Sequence, residues 1–592
     1  MRRHGTYPTL LKAVIVLFIA SLLAVPAAQT RARQQDDTDA LPEDGLPAQT
    51  LIAQQLEAGE IDFETSLVNR AYALFDDPRL SADLAGAGSF GEDNALFGQV
   101  KYYWANLAPE TQKILTPFVV RPTSSQSIFF KSNAAGPLTL PDPEAAPTYA
   151  QGDCSDNWAS RDSAAHPFKV WIHCTDDYQE DLDEAIRITD DFWQREVEFM
   201  GPPILDTGSE EQGGDTRIDV YFVDDETDPA PRHGGDYIQE EALAHASPDD
   251  PIDGRKSSGY IVARRPMIGD PRLMVVMSHE FFHILQDAHN YQIAFGFKEA
   301  PFNADFETLS FSEFWFVEAT ATWVEVYLYR DTVDVDTMNL TVHHFLLDGF
   351  QPFDVPLYYS QPQFGSKFLH VYGAYIYFLF QEQEVGPEAM AEMWRDLEDV
   401  PPDDFDRTTE VMNDILPFEK NFREFAVRNL NLELLPGNPI TPSYRDIDPS
   451  FPEGLAPPFH VGDSPTSRIL VGPGNPDPWV FDDPIPSLSA HYFDLLFMEP
   501  VTRVTLDFTG LSSLDDVDVD LIAKVVQKPW ERRKLDPSQP IVICREHKAD
   551  MIRNAYIIVT NHDMEEANAV RGSFSISYDD EPCGTEEATP AP

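Results

Sequence analysis

The 592-residue chain reads as an α+β protein of several domains. Three observations predict this. Residues 48–120 carry apolar side chains at helical spacing; the middle alternates strand and helix patterns before a long apolar helix; and from about residue 436 prolines separate short runs that alternate every second residue. The resulting organisation is a leader at 1–28, a helical N-terminal region with a linker at 29–150, a mixed α/β and helical domain at 151–435, and a C-terminal β-sandwich at 436–592.

The leader has the form of a secretory signal peptide. Arg2, Arg3 and Lys12 precede an apolar run of 13 residues, Ala13 to Val25, and Pro26-Ala27-Ala28 supplies small residues for cleavage. Nothing later is long and apolar enough to span a bilayer, so the mature chain is expected outside the cell and not inserted in a membrane. The segment from Gln29 to Asp44 is polar and acidic. Leu51 to Leu56 and Phe63 to Phe75 have helical apolar spacing, and a further helix opens at Ala108-Pro109-Glu110 and is expected to stop before Pro117. The stretch from Pro122 to Pro147 is rich in Pro, Ser and Ala and reads as a linker. Such an N-terminal region is either a removable propeptide over a cleft or a permanent structural part.

Strands are expected at Phe168–His173, Arg217–Val223 and Gly259–Arg264, with an amphipathic helix at Tyr178–Met200 and an Asp/Pro/Gly-rich loop over about 227–258. Helices follow at 311–330, 339–348, 366–384, 387–398 and 418–430. Val501–Phe508, Val517–Val526, Ile541–Cys544, Ala555–Thr560 and Gly572–Tyr578 read as strands of the sandwich. Four cysteines suit an exported protein, and loop length favours Cys154–Cys174 and Cys544–Cys583. The formal charge of −58 makes nucleic acid and anionic membrane poor partners.

Chemistry concentrates in His279-Glu280-Phe281-Phe282-His283, which has the form HExxH. Asp270-Pro271 supplies a cap and a first-turn proline, and the residues from Leu273 to Leu285 are apolar nearly all round, so the segment reads as a buried helix. Two histidines four apart lie on one helical face, where both imidazoles can hold one Zn²⁺, and the adjacent glutamate can take a proton from an activated water. The competing reading is a core helix whose histidines merely satisfy each other.

A third ligand is needed, with the fourth position left to water. His289 stands where the metzincin pattern has its third histidine, but that pattern needs glycine where Gln286 stands. On a continuing helix, His289 is turned about 240° from His283 and away from the metal. Glu318 lies in Phe314-Trp315-Phe316-Val317-Glu318-Ala319-Thr320-Ala321-Thr322-Trp323, on a helix opened by Ser310 and Glu313 at capping-box spacing. A carboxylate among so many apolar neighbours is costly to bury unless a cation meets it, which favours Glu318.

HEFFH followed by WFVEATATW resembles the gluzincin branch of the zincin metallopeptidases, in which a WxxExxAxW/Y helix brings the third ligand. It is most similar to exported bacterial metalloproteases with HEFFHxxQ and WxxEAxAxWxE cores. The motif match covers about 259–325, and the order of elements extends it to 165–430. Ala319 stands where many gluzincins have glycine, and the 35-residue step from His283 to Glu318 implies an inserted loop at about 291–310.

The resemblance implies a zincin-like catalytic domain that binds one catalytic Zn²⁺ through His279, His283 and Glu318. Glu280 is then the general base for hydrolysis of peptide bonds in a protein or peptide substrate. It also implies an oxyanion donor among His370, Tyr372 and Tyr375, of which Tyr372 is the choice, and a free edge on the strand Gly259–Arg264 for an extended peptide. Thr322 and Glu325 are candidates to orient the histidines.

An alternative function is a non-catalytic exported binding or adhesion protein that keeps the zincin scaffold and grips its ligand with the β-sandwich. An aminopeptidase is disfavoured because no GxMEN-like motif precedes HExxH. Asp515, Asp516, Asp518 and Asp520 alternate along a strand or its entry, a pattern that fits either a Ca²⁺ site or a solvated face.

Overall fold

Apolar residues at helical spacing build the first layer of the chain, in a computed structural model that describes residues 48–75, 77–84, 93–130, 147–175, 177–224, 244–249, 255–294, 314–348, 356–358, 370–401, 405–430, 444–451, 467–498, 501–526, 528–545, 551–564 and 569–581. The leader, the acidic segment after it, most of the linker, the Ser310–Glu313 cap and Cys583 fall outside these residues. The layer comprises α1 (Ala48–Glu57), α2 (Phe63–Leu74), α3 (Asp93–Tyr103) and α4 (Pro109–Val119). The expected stop before Pro117 is not observed, because α4 carries that proline in its last turn. A proline so close to the end costs few helical hydrogen bonds, and continuation buries Phe118 and Val119. The start of the expected linker is corrected as well. Residues 121–130 form turns packed into the layer, with Arg121, Thr123, Ser124, Ser127 and Phe129 all buried.

Among the described residues, five strands follow: β1 (Trp158–Asp162), β2 (Phe168–His173), β3 (Ile218–Val223), β4 (Ala244–Pro248) and β5 (Gly259–Arg264), in the sheet order β1-β2-β3-β5-β4. The three inner strands are parallel, with β1 and β4 antiparallel at the edges. Every residue of β3 and β5 is buried, as expected of parallel strands covered on both faces. Alternation sends Val170, Ile172, Val220, Phe222, Ile261 and Ala263 to one face. Trp171, Tyr221, Val223, Tyr260 and Val262 go to the other, where they share a core with α1–α4. The disulfide Cys154–Cys174 forms beside β1 and β2, and Cys544 is also disulfide-bonded.

Strand β4 corrects two expectations. It lies within the stretch read as a loop, and it occupies the edge of β5 that was expected to be free for a peptide. Its sequence, Ala-His-Ala-Ser-Pro, carries no β-branched residue and no clear alternation, so pairing with β5 rather than propensity makes it a strand.

The first face is covered by α5 (Tyr178–Met200) and α6 (Pro271–Ala294). Asp270 accepts the backbone N–H of Arg272 at 2.9 Å and so caps α6. Gly259 permits the close approach of α6, β5 and β4: a Cβ there would lie 2.6 Å from Ile284 and 2.8 Å from the Ser247 carbonyl. Next come α7 (Phe314–Tyr329), α8 (Val335–Met338), a π-helical turn (Asn339–His343), α9 (His344–Asp348), α10 (His370–Gly373), α11 (Tyr375–Val385), α12 (Glu388–Leu397), α13 (Phe405–Ile415) and α14 (Phe418–Asn429). Helix α7 packs along α6, with α10 and α11 against its other side.

Among the described residues, nine further strands follow: β6 (Ser467–Val471), β7 (Trp479–Phe481), β8 (Ser489–Phe497), β9 (Arg503–Leu511), β10 (Val517–Val525), β11 (Trp530–Leu535), β12 (Ile541–Cys544), β13 (Ile552–Asn561) and β14 (Gly572–Asp579). They form a five-stranded sheet, β11-β10-β13-β8-β6, and a four-stranded sheet, β12-β9-β14-β7, which bury a common core. The opposite face of the larger sheet joins the core of the helical region through Tyr492, Ile522, Tyr556 and Ile558. There Arg423 of α14 pairs with Asp518 and Asp520, and Arg532 pairs with Asp520 and Glu424. Two carboxylates of the acidic ladder are thus engaged by arginines.

Candidate metal centre

Helix α6 places His279 and His283 one turn apart, with ring centroids 4.8 Å from each other. Its apolar sides are held by α5 and the sheet, so the polar edge has one way to face, toward α7. From α7, Glu318 enters the same point and is 1% exposed. Its Oε2 lies 3.2 Å from His279 Nε2 and 3.6 Å from His283 Nε2. Bond lengths of about 2.0–2.1 Å around a tetrahedral zinc put neighbouring donors about 3.4 Å apart, and these two separations bracket that value. All three donors fall within 4.8 Å of one another, the one such His/Cys/Asp/Glu group among the described residues.

The outward nitrogens fix the tautomers. His279 Nδ1 lies 2.7 Å from Glu325 Oε1, and His283 Nδ1 lies 2.7 Å from Gln286 Oε1. Gln286 is itself fixed, donating to the Val317 carbonyl and to Thr320 Oγ1, both at 3.0 Å. With each Nδ1–H donated outward, each Nε2 faces the shared point, where His279 Nε2–H donates to Glu318 Oε2, a proton that a bound metal would displace. His283 Nε2 is buried without a hydrogen-bond partner, an unsatisfied acceptor aimed at the point that Glu318 and His279 share. The donor set therefore fits Zn²⁺.

Electrostatics agree. Burial opposes charge on His279, yet Glu318 and Glu325 outweigh it and hold its pKa well above the ordinary imidazole value. Burial likewise acts to raise Glu318, but His283 and His279 hold it down at about 2. Glu325 is pushed up to about 7 by burial. A proton or a metal cation is required among these groups, and the inward geometry suits the metal.

Glu280 is buried beside the histidines and interacts electrostatically with His279 and Glu325. No protein-family model and no curated protein matches this chain. Tyr372, half-buried on α10, has its ring 6.0 Å from that of His279 and stacked on Phe345 at 4.9 Å. Tyr375 is turned elsewhere, its hydroxyl 2.7 Å from His343 Nδ1.

His289 is not brought to the metal point. Its Nδ1 contacts Glu398 at 2.7 Å and its Nε2 the Met200 carbonyl at 3.2 Å, and the helix breaks just beyond, at Asn290. Thr322 donates to its own helix at the Glu318 carbonyl and orients no histidine. Two contributors escaped the sequence reading. Gln286 was legible as the residue three beyond His283 on the same helical face. Glu196 of α5 accepts from Ser278 at 2.7 Å; burial raises its pKa well above normal, and nothing in the acidic pattern of α5 distinguishes it.

Proposed function

We propose that this protein is an exported zinc-dependent endopeptidase built on a zincin-like core, with its two C-terminal sheets forming a β-sandwich. The observation that carries the reading is the convergence of two imidazoles and one carboxylate from separate helices, with the buried carboxylate of Glu280 beside them.

His279, His283 and Glu318 would hold the ion, which when bound supplies a Lewis acid and brings the pKa of a water toward neutrality. Glu280 accepts the proton that this water loses on attacking a scissile carbonyl, then delivers it to the departing amine. Glu325 and Gln286 keep both imidazoles oriented through the cycle. Tyr372, whose ring stacks on Phe345 and lies 6.0 Å from that of His279, is the hydroxyl donor we assign to the oxygen that gains charge.

The test is Glu280→Gln. Zinc content should stay at the wild-type level while peptide cleavage falls at least a thousandfold. Cleavage at the wild-type rate would remove Glu280 from the mechanism. Zinc without cleavage in the wild type itself would favour the non-catalytic binding protein.

A further inference from the structure

The outer face of the five-stranded sheet that leads to the metal helix carries Trp158, Trp171, Tyr221, Val223, Tyr260 and Val262, all buried under α1–α4. Four aromatic side chains at roughly 150 Å² each would leave about 600 Å² of apolar surface if that layer departed, at the upper limit of what monomers expose.

Polar contacts bind the same surface. Arg121, 3% exposed, lies just after α4 and pairs with Asp206, Asp219 and Asp249, which come from three separate parts of the chain around the sheet. Trp171 and Tyr221 also donate to Asp219. Three aspartates around one guanidinium are not all ionised without cost: burial pushes Asp206 up to about 8, whereas at Asp249 burial is overcome by Arg121, Lys101 and Ser258 together, which keep its pKa low. Removing Arg121 would leave this acidic group buried without its cation.

The contacts continue to the site. Helix α3 packs on β4, with the Phe97 ring tilted against that of His245 at 4.7 Å. Asp249 accepts from Ser258 at 2.9 Å, and the neighbouring Ser257 N–H donates to the Asp287 carbonyl, one turn past His283 on the metal helix, at 3.0 Å. Tyr291, near the end of that helix, donates to the Gly98 carbonyl of α3 at 3.0 Å.

We infer that the outer face of the sheet is a docking surface whose occupant is the chain's own N-terminal layer, residues 48–130, retained in the functional molecule to buttress β4 and the metal helix. The layer covers the face of the sheet opposite α5 and α6. It is therefore not the removable propeptide that the sequence left open, and the claim stands apart from whether peptide bonds are cleaved.

A specific protease site placed between residues 131 and 146 of the full chain tests this. After cutting, the two fragments should co-elute in size-exclusion chromatography at micromolar concentration, with zinc content unchanged. Departure of the N-terminal fragment from a remainder that stays monodisperse and zinc-loaded would overturn the inference. In the cut protein, Arg121→Met should weaken fragment association at least tenfold, and Arg121→Lys should restore part of it. Equal association in all three forms would remove Arg121 from the buttress. Absence of peptide cleavage before and after cutting would count against the proposed activity alone.

Discussion

Replacing Glu325 by alanine removes the carboxylate 2.7 Å from His279 Nδ1, at a site where the pair is buried. The variant leaves the Nδ1–H without an acceptor and lets the ring turn away from the metal point. Loss of such an outer partner weakens metal binding about 10–100-fold, which is about 1.4–2.7 kcal/mol. Glutamine keeps an oxygen in the same place but loses the charge. Charge-assisted hydrogen bonds are about twice as strong as neutral ones, so Glu325→Gln should retain about half of that energy and weaken zinc about 3–10-fold. The assay is competition against a chromophoric chelator at fixed pH, comparing wild type, Glu325→Gln and Glu325→Ala. The order of affinities should follow that sequence. An alanine variant within twofold of wild type would refute the reasoning, because His279 would then need no external support.

Tyr372→Phe should lower kcat about 100-fold with KM and zinc content little changed, as measured by steady-state cleavage of a peptide, since it removes one donor to developing charge. His289→Ala should leave zinc stoichiometry intact while costing about 1–3 kcal/mol of stability in denaturant titration, through lost contacts to Glu398 and Met200; loss of zinc would reinstate His289 as a ligand. The pKa of His279 is raised in the metal-free protein, so its interaction stabilises that form below the ordinary imidazole pKa and fades as pH rises through the elevated value. Zinc binding at neutral pH should therefore release about one proton, seen by calorimetry in buffers of different ionisation enthalpy.

The metal helix and α7 were legible because both are apolar nearly all round, so each histidine or glutamate within them stands out as a costly burial. The strands β10, β12, β13 and β14 were legible from their alternation. Strand β4 was not, since tertiary pairing makes a strand of small residues and proline. Strand β8 was missed because it carries His491 and Asp494 at buried positions, which blurs the pattern. Residues 122–130 looked like the start of a linker; they are packed because Asp206, Asp219 and Asp249 gather around the adjacent Arg121 and because Phe129 enters the apolar core. At the metal point, ligand types and spacing could be read along the chain. The separation of His283 from Glu318 by a long intervening segment concealed how closely their donors meet.

The most direct measurement is X-ray absorption at the zinc edge on protein purified without added metal, together with the zinc content per chain. One zinc per chain, with two imidazole nitrogens and carboxylate oxygen at about 2.0–2.2 Å, is the expected result, reduced to two imidazoles in Glu318→Ala. A metal-free protein that takes up no zinc, or a zinc shell unchanged by Glu318→Ala, would contradict the assignment of His279, His283 and Glu318 as a metal centre.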